Sequence, residues 1–103
     1  MFHDLYQILN EEVTSVRIRL ADETHKIFQA HFPGNPLLPA FVMIEMCSQL
    51  FVQEIKAISK AKFMQPVLPD DVLDFCFTPK ESKVHVRILR EEKIVAEIVY
   101  ETF

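Results

Sequence analysis

Hydrophobic and polar positions alternate along much of this chain, with the two-residue period of a half-buried β-strand. Between residues 13 and 20, three aliphatic side chains alternate with two arginines, and residues 83–89 repeat the pattern. Polar turns separate such segments, for example Ala-Asp-Glu-Thr at 21–24 and Arg-Glu-Glu-Lys at 90–93. The pattern predicts strands at 13–20, 26–32, 61–67, 72–78, 83–89 and 94–102.

Two other segments carry apolar residues at helical spacing. Residues 2–9 predict a short N-terminal helix, and residues 40–59 predict a long helix that follows Pro39, a residue suited to a helix start. The first half of the long helix is apolar on almost every side, so a curved sheet has to enclose it. We therefore predict one domain over residues 1–103 of the α+β class, in which an antiparallel sheet of five or six strands wraps one helix inserted after the second strand.

The segment from residue 31 to residue 45 has the most unusual composition. It contains prolines at positions 33, 36 and 39, the only glycine of the chain, Gly34, and a carboxylate, Glu45, within an apolar run. Proline fixes φ and keeps the preceding residue out of the helical region, so residues 31–39 should form a stiff loop in which Gly34 permits a turn. The segment therefore holds His31 on a rigid loop and places Glu45 inside the long helix.

His31 and Glu45 are the candidate groups for proton transfer. Imidazole titrates at about pH 6.5 and burial raises a carboxylic acid toward that range, so the two together suit acid–base catalysis. Two simpler interpretations stay open. Glu45 can extend the polar stripe of Ser48 and Gln49 to solvent, and His31 can be an ordinary loop residue.

Charge excludes one class of function. A net charge of −4 argues against nucleic-acid binding, which needs a basic surface to neutralise phosphates. Lys56, Lys60 and Lys62 nevertheless lie in a stretch, residues 55–69, that has no acidic residue. This lysine patch is either the solvated end of the long helix or a docking surface for an acidic partner.

Three further features indicate a cytoplasmic protein that lacks a metal site. Cys47 and Cys76 are predicted to be free thiols in a reducing compartment. The N-terminus lacks the pattern of a signal peptide, and the longest apolar run is too short to cross a membrane and is interrupted by Glu45. No histidine stands at metal-ligand spacing to another histidine, cysteine or carboxylate, so we predict no metal site.

Residues 31–49 read His-Phe-Pro-Gly-Asn-Pro-Leu-Leu-Pro-Ala-Phe-Val-Met-Ile-Glu-Met-Cys-Ser-Gln. This sequence resembles the signature of the 3-hydroxyacyl-acyl-carrier-protein dehydratases of the hotdog fold. Ala-Lys-Phe at 61–63 and Pro-Val-Leu-Pro-Asp-Asp-Val-Leu at 66–73 also resemble segments of that family. Ala40 and Asp70 stand where the family pattern has glycine.

The resemblance implies a hotdog fold that pairs edge to edge into a homodimer, and leaves open a further trimer of dimers. His31 of one subunit would take the C2 proton of a (3R)-3-hydroxyacyl thioester, and Glu45 of the other would help the 3-hydroxyl leave as water, without a cofactor. The backbone N–H of Ala40 would polarise the thioester carbonyl, and Gln49 would support Glu45. The remaining expected substrate-binding positions are Gly34 and Phe41.

The implied partner is an acyl carrier protein that carries the thioester, and the lysine patch becomes a candidate for docking it. The implied pathway is fatty acid or related lipid or polyene synthesis. Two alternatives remain. One is a hotdog thioesterase, in which Glu45 would activate water against the same thioester. The other is a non-catalytic subunit that binds an acyl group or its carrier, which the alanine at position 40 would favour.

Overall fold

The computed structural model describes residues 4–30 and 34–103, and over these residues the chain forms one six-stranded antiparallel sheet and two helices. The strands follow the order β1-β2-β4-β5-β6-β3 across the sheet. This arrangement confirms the predicted α+β class. The elements are β1 (Tyr6–Glu11), β2 (Ser15–Leu20), α1 (Lys26–Ala30), α2 (Ala40–Leu50), β3 (Ile55–Phe63), β4 (Val72–Lys80), β5 (Lys83–Arg90) and β6 (Lys93–Thr102).

Strands β2, β4, β5 and β6 lie where the alternation predicts strands, and their alternate side chains face the core. On β5, for example, Val84, Val86 and Ile88 are buried, whereas His85 and Arg87 are exposed on the outer face. Helix α2 packs on the inner face of the sheet. Its contribution to the core is Val42, Met43, Met46, Cys47 and Leu50.

The predicted N-terminal helix over residues 2–9 is wrong where the structure describes it, because β1 begins at Tyr6 and pairs antiparallel with β2. A helix of this length is marginal on its own. Pairing with β2 satisfies the same backbone groups and still buries Leu5 completely.

The predicted strand over residues 26–32 is also wrong, because Lys26–Ala30 forms helix α1. The Nδ1 atom of His25 accepts a hydrogen bond from the Ile27 N–H at 3.1 Å, and the His25 carbonyl accepts one from the Phe28 N–H at 3.0 Å. These contacts satisfy donors at the helix start that the sequence pattern does not reveal.

The predicted helix over residues 40–59 is too long, because α2 ends at Leu50. Val52 adopts a left-handed φ of 49°, and the Gln53 N–H donates to the carbonyl of Ser48 at 3.1 Å. This hydrogen bond across a left-handed residue is the Schellman arrangement that ends many helices, usually at glycine. The Ser48 hydroxyl also donates to the Gln53 carbonyl at 2.6 Å, which closes the turn. The chain then enters β3, six residues earlier than the predicted strand at 61–67.

Strand β3 forms one edge of the sheet and is exposed along almost its whole length. Ile58 lies opposite the buried Tyr100 of β6, and Phe63 lies opposite the buried Ala96, so both side chains point to the face that carries α2. Both nevertheless remain exposed to solvent. The sheet therefore extends beyond the helix at this edge and leaves apolar surface uncovered.

Neither of the two helices in the described ranges has the length and apolar character needed to span a bilayer. Among residues 4–30 and 34–103, no three histidine, cysteine or acidic side chains come together as a metal site would require. Cys47 and Cys76 are both free thiols.

Candidate active site

The segment before α2 is anchored to the body of the protein. Leu38 is buried, and its N–H donates to the carbonyl of Val67 at 2.8 Å. Pro39 is the N-cap residue, with φ −63° and ψ 146°, and no side chain caps the helix there. Ala40 is exposed, and since the first N–H groups of a helix carry a partial positive charge, this helix start is suited to a group with negative character.

Gly34 has φ 78°, a conformation that side-chain-bearing residues rarely adopt. A Cβ atom placed on Gly34 would meet nothing within 4 Å. Glycine is therefore required here for its backbone conformation and not for lack of space, in agreement with the predicted turn at Gly34. An open cleft of about 380 Å³ adjoins this residue, on the side of α1. Its lining consists of Glu23, Thr24, Phe28, Gln29, Gly34 and Pro36.

Phe41, Glu45 and Gln49 form the exposed stripe of α2. They are spaced four residues apart, so they lie on one helix face, and all three are exposed whereas Val42 and Met46 beside them are buried. Phe41 keeps 51% of its surface accessible although it is a large aromatic residue. The interpretation that Glu45 joins a polar stripe with Gln49 therefore describes the single chain correctly. The stripe also brings three of the predicted site residues onto one surface.

Tyr6 makes a contact with this stripe that the sequence does not reveal. Its hydroxyl donates to the Oε1 atom of Gln49 at 3.0 Å. The tyrosine ring packs against the core, and burial raises the pKa of its hydroxyl, so the group keeps its proton at neutral pH. A helix over residues 2–9 does not account for this contact, and no local signal in the sequence joins β1 to α2.

His31 lies outside the described residues, as do its two successors in the chain. The structure defines both flanks of this gap, with α1 ending at Ala30 and the described chain resuming at Gly34. The roles expected for His31 therefore stay predictions.

The turn before β4 supports the loop that leads to α2. Asp70 has φ 67°, which is the left-handed conformation for which glycine is best suited, and aspartate tolerates it better than most residues. The next residue, Asp71, accepts a hydrogen bond from the Leu68 N–H at 2.9 Å. Val67 lies next to this turn, and its carbonyl accepts the hydrogen bond from the Leu38 N–H.

The lysine patch lies on β3 and not at the end of a helix, which corrects the first interpretation of Lys56, Lys60 and Lys62. Lys60 and Lys62 lie opposite Val99 and Glu97 of β6. The Nζ atom of Lys60 binds the Glu97 carboxylate at 2.7 Å and helps to lower the pKa of that group. The patch therefore occupies the edge strand of the sheet.

Comparisons with known proteins identify relatives by sequence. An enzyme called 3-hydroxyacyl-[acyl-carrier-protein] dehydratase FabZ from Pediococcus pentosaceus is 31% identical, over an alignment that covers 100% of this chain and 70% of the relative. The FabZ of Enterococcus faecalis is 37% identical, over 68% of this chain. The alignment covers 56% of that relative, so this chain spans little more than half of its length.

Solved structures give the same fold. One chain of the dehydratase heterocomplex ApeI:P from Xenorhabdus doucetiae superposes with a TM-score of 0.74 at 21% identity, covering 94% of this chain and 96% of that chain. The HP0420 homologue from Helicobacter felis gives a TM-score of 0.68 at 12% identity, covering 100% and 90%. At these identities the likeness concerns the fold, and it confirms the predicted hotdog architecture. A family model described as ApeI dehydratase matches residues 8–98, and the chain therefore belongs to the ApeI-like dehydratase family.

Proposed function

We propose that this protein dehydrates (3R)-3-hydroxyacyl thioesters of an acyl carrier protein to the trans-2-enoyl thioesters. The observation that carries the proposal is that Glu45, the acid of the motif, lies on the open face of α2 within a family match over residues 8–98. The FabZ relatives, whose names state this reaction class, support it.

In the proposed reaction, His31 acts as the base and takes the proton from C2 of the substrate. The electron pair of that C–H bond forms the C2=C3 double bond while the C3–O bond breaks. Glu45, in its protonated form, gives its proton to the leaving hydroxyl, which departs as water. Transfer of the proton from His31 back to Glu45 restores the starting state, so the reaction consumes no cofactor.

The start of α2 would stabilise the charge that develops in this reaction. As the C2 proton leaves, part of the developing negative charge is delocalised onto the thioester carbonyl oxygen. The backbone N–H of Ala40, at the uncapped positive end of the helix, is suited to receive that oxygen. Alanine supplies this N–H as glycine would. Phe41, exposed one position later, and Gly34 in the preceding loop would contact the acyl chain or its carrier arm.

We propose that two copies of the chain pair through the β3 edges and share two sites. A nine-residue edge strand with uncovered apolar residues is a surface that natural proteins normally protect. Pairing there would cover Ile58 and Phe63 on the side that carries α2, and would bring the exposed stripe of α2 toward the partner subunit. His31 of one chain would then act with Glu45 of the other, and association into a trimer of dimers would be a further step.

The lysine patch is our candidate docking surface for the acyl carrier protein. Two of its residues, Lys60 and Lys62, lie on the outer face of β3 at the proposed dimer edge. Acyl carrier proteins present acidic surfaces, so complementary charge would guide the encounter.

A direct assay tests the proposed reaction. Purified protein is incubated with 3-hydroxyacyl thioesters of an acyl carrier protein in a panel of chain lengths, and the conjugated enoyl product is followed by absorbance and mass spectrometry. We expect conversion to the enoyl thioester with the thioester bond intact. Release of free thiol would support the thioesterase instead, and binding of the carrier without any conversion would support a non-catalytic subunit.

A further inference from the structure

The hydrogen bond from Tyr6 to Gln49 joins the N-terminal strand to the stripe that contains the proposed acid. The hydroxyl of Tyr6 lies 3.0 Å from Oε1 of Gln49. Tyr6 is held by its packing against the core and by its place in the β1–β2 pairing, where it lies opposite Leu20. The rigid partner in this contact is therefore the tyrosine, and the adjustable one is the long side chain of Gln49.

The two ends of the Gln49 amide differ chemically, so the hydrogen bond to Tyr6 fixes the orientation of that amide. A glutamine side chain has one oxygen that accepts hydrogen bonds and one nitrogen that donates two. Because the oxygen of Gln49 is occupied by a hydroxyl that keeps its proton, the nitrogen points away from Tyr6. Glu45 lies one helical turn before Gln49 on the same face, at the spacing where side chains meet.

We propose that Tyr6 is a positioning residue, whose hydroxyl orients the Gln49 amide so that its nitrogen donates to the Glu45 carboxyl group. This inference rests on the proposed function. One oxygen of the carboxyl group would accept from Gln49, and the other would carry the proton that is transferred to the leaving hydroxyl. Without Tyr6, the amide can rotate and present its oxygen to Glu45. The proton of the Glu45 carboxyl group would then be donated to Gln49 and not to the leaving hydroxyl.

The chain contains a matched control for this contact. The hydroxyl of Tyr100 donates to Oε1 of Gln53 at 2.7 Å, so it forms the same chemical pair at the end of α2. Tyr100 is a fully buried residue of β6 and lies outside the exposed stripe. Tyr6→Phe and Tyr100→Phe therefore remove the same hydroxyl group from two similar contacts, only one of which reaches the proposed acid.

The test measures steady-state kinetics on the hydroxyacyl carrier substrates and the side-chain amide resonances of Gln49 and Gln53. We expect Tyr6→Phe to lower kcat about tenfold with KM unchanged, because binding groups are left in place. The double variant with Gln49→Ala should have the kcat of Gln49→Ala alone, since each change interrupts the same series of contacts from Tyr6 through Gln49 to Glu45. Tyr100→Phe should shift the Gln53 resonance and lower the thermal midpoint without lowering kcat.

The amide resonances also test the contact without reference to activity. Tyr6→Phe and Glu45→Ala should each shift the Gln49 amide signals and leave those of Gln53 in place. A Gln49 amide that does not respond to Glu45→Ala would overturn the positioning role. So would a Tyr6→Phe variant with wild-type kcat, or one whose loss simply adds to that of Gln49→Ala. If the resonances respond as expected but no substrate is dehydrated, the proposed function is what fails, and the catalytic role of Tyr6 falls with it.

Discussion

Arg90 at the end of β5 donates from Nη1 to Oδ2 of Asp71 at 2.7 Å, and the same nitrogen donates to the carbonyl of Pro66 at 2.9 Å. Both side chains of this ion pair are mostly buried. The pair fixes the turn whose Val67 carbonyl binds Leu38, just before α2. The ion pair therefore connects the end of β5 to the start of α2, the helix that carries the proposed acid.

Arg90→Ala should destabilise the protein by about 1–3 kcal/mol, because it leaves a carboxylate and a carbonyl without their charged partner. Chemical denaturation measures this change. The matched control is Arg17→Ala, which breaks the more exposed pair between Arg17 and Asp74 at 2.8 Å and should cost less. Equal losses in the two variants would contradict the role assigned to Arg90.

Val52→Gly should stabilise the protein by about 1 kcal/mol, because Val52 is held in a left-handed conformation that a β-branched residue adopts only with strain. Val52 is 90% exposed, so the substitution removes almost no packing. Val13→Gly is the control, since Val13 is 92% exposed without a positive φ. That change should be neutral or destabilising, because glycine adds freedom to the unfolded chain. Thermal unfolding of both variants measures these changes in stability.

Ile58→Glu should convert the proposed dimer into single chains, because it places a charge in the apolar surface that pairing would bury. Light scattering after size-exclusion chromatography should change from twice the chain mass of 12.1 kDa to that mass. Ile8→Glu on β1, the opposite edge of the sheet, is the control. The two isoleucines are similarly exposed, at 42% and 47%, so a loss of pairing in the Ile8 variant would place the interface elsewhere.

His31→Ala and Glu45→Gln should each lower kcat about 10²–10⁴-fold, the usual contribution of one acid–base group. Neither should alter the fold, which thermal unfolding and circular dichroism verify. If the site is shared, mixed dimers of the two variants should recover part of the activity, since one of their two sites has both groups. Verified mixed dimers that show no recovery would indicate a site within one chain.

Cys47 should resist thiol reagents in the folded protein, because burial raises its pKa to about 12. Cys76 is only partly buried, although desolvation raises its pKa as well. Titration with a disulfide reagent at pH 8 should label one thiol before unfolding and the second only in guanidinium. The Cys76→Ser variant should show no labelling until it unfolds.

Much of the sheet follows from the sequence, because alternation on β2 and β5 reflects one buried and one solvated face. On β6 both faces carry buried residues, Val95 and Val99 on one and Ala96 and Ile98 on the other. The end of α2 does not follow, since Val52 carries none of the usual signals for a left-handed residue. Because the predicted helix is too long, it places the lysine patch at the end of a helix and not on strand β3. Contacts between distant segments overrode the local pattern there.

The candidate site was predicted in part. The spacing of Phe41, Glu45 and Gln49 depends only on helix geometry, so it could be predicted once the start of α2 was located at Ala40. The contact with Tyr6 depends on how β1 enters the sheet, and that information lies in pairing between segments rather than in either segment alone.

The short turn between α2 and β3 links the exposed stripe of the helix to the free edge of the sheet. Under the proposed pairing, a partner that covers this edge also completes the reaction centre, so one molecule by itself has no working site. The rate per chain would then fall on dilution below the dissociation constant of the pair. A compound that binds the edge strand and blocks pairing would then inhibit the protein without occupying the site formed by His31 and Glu45.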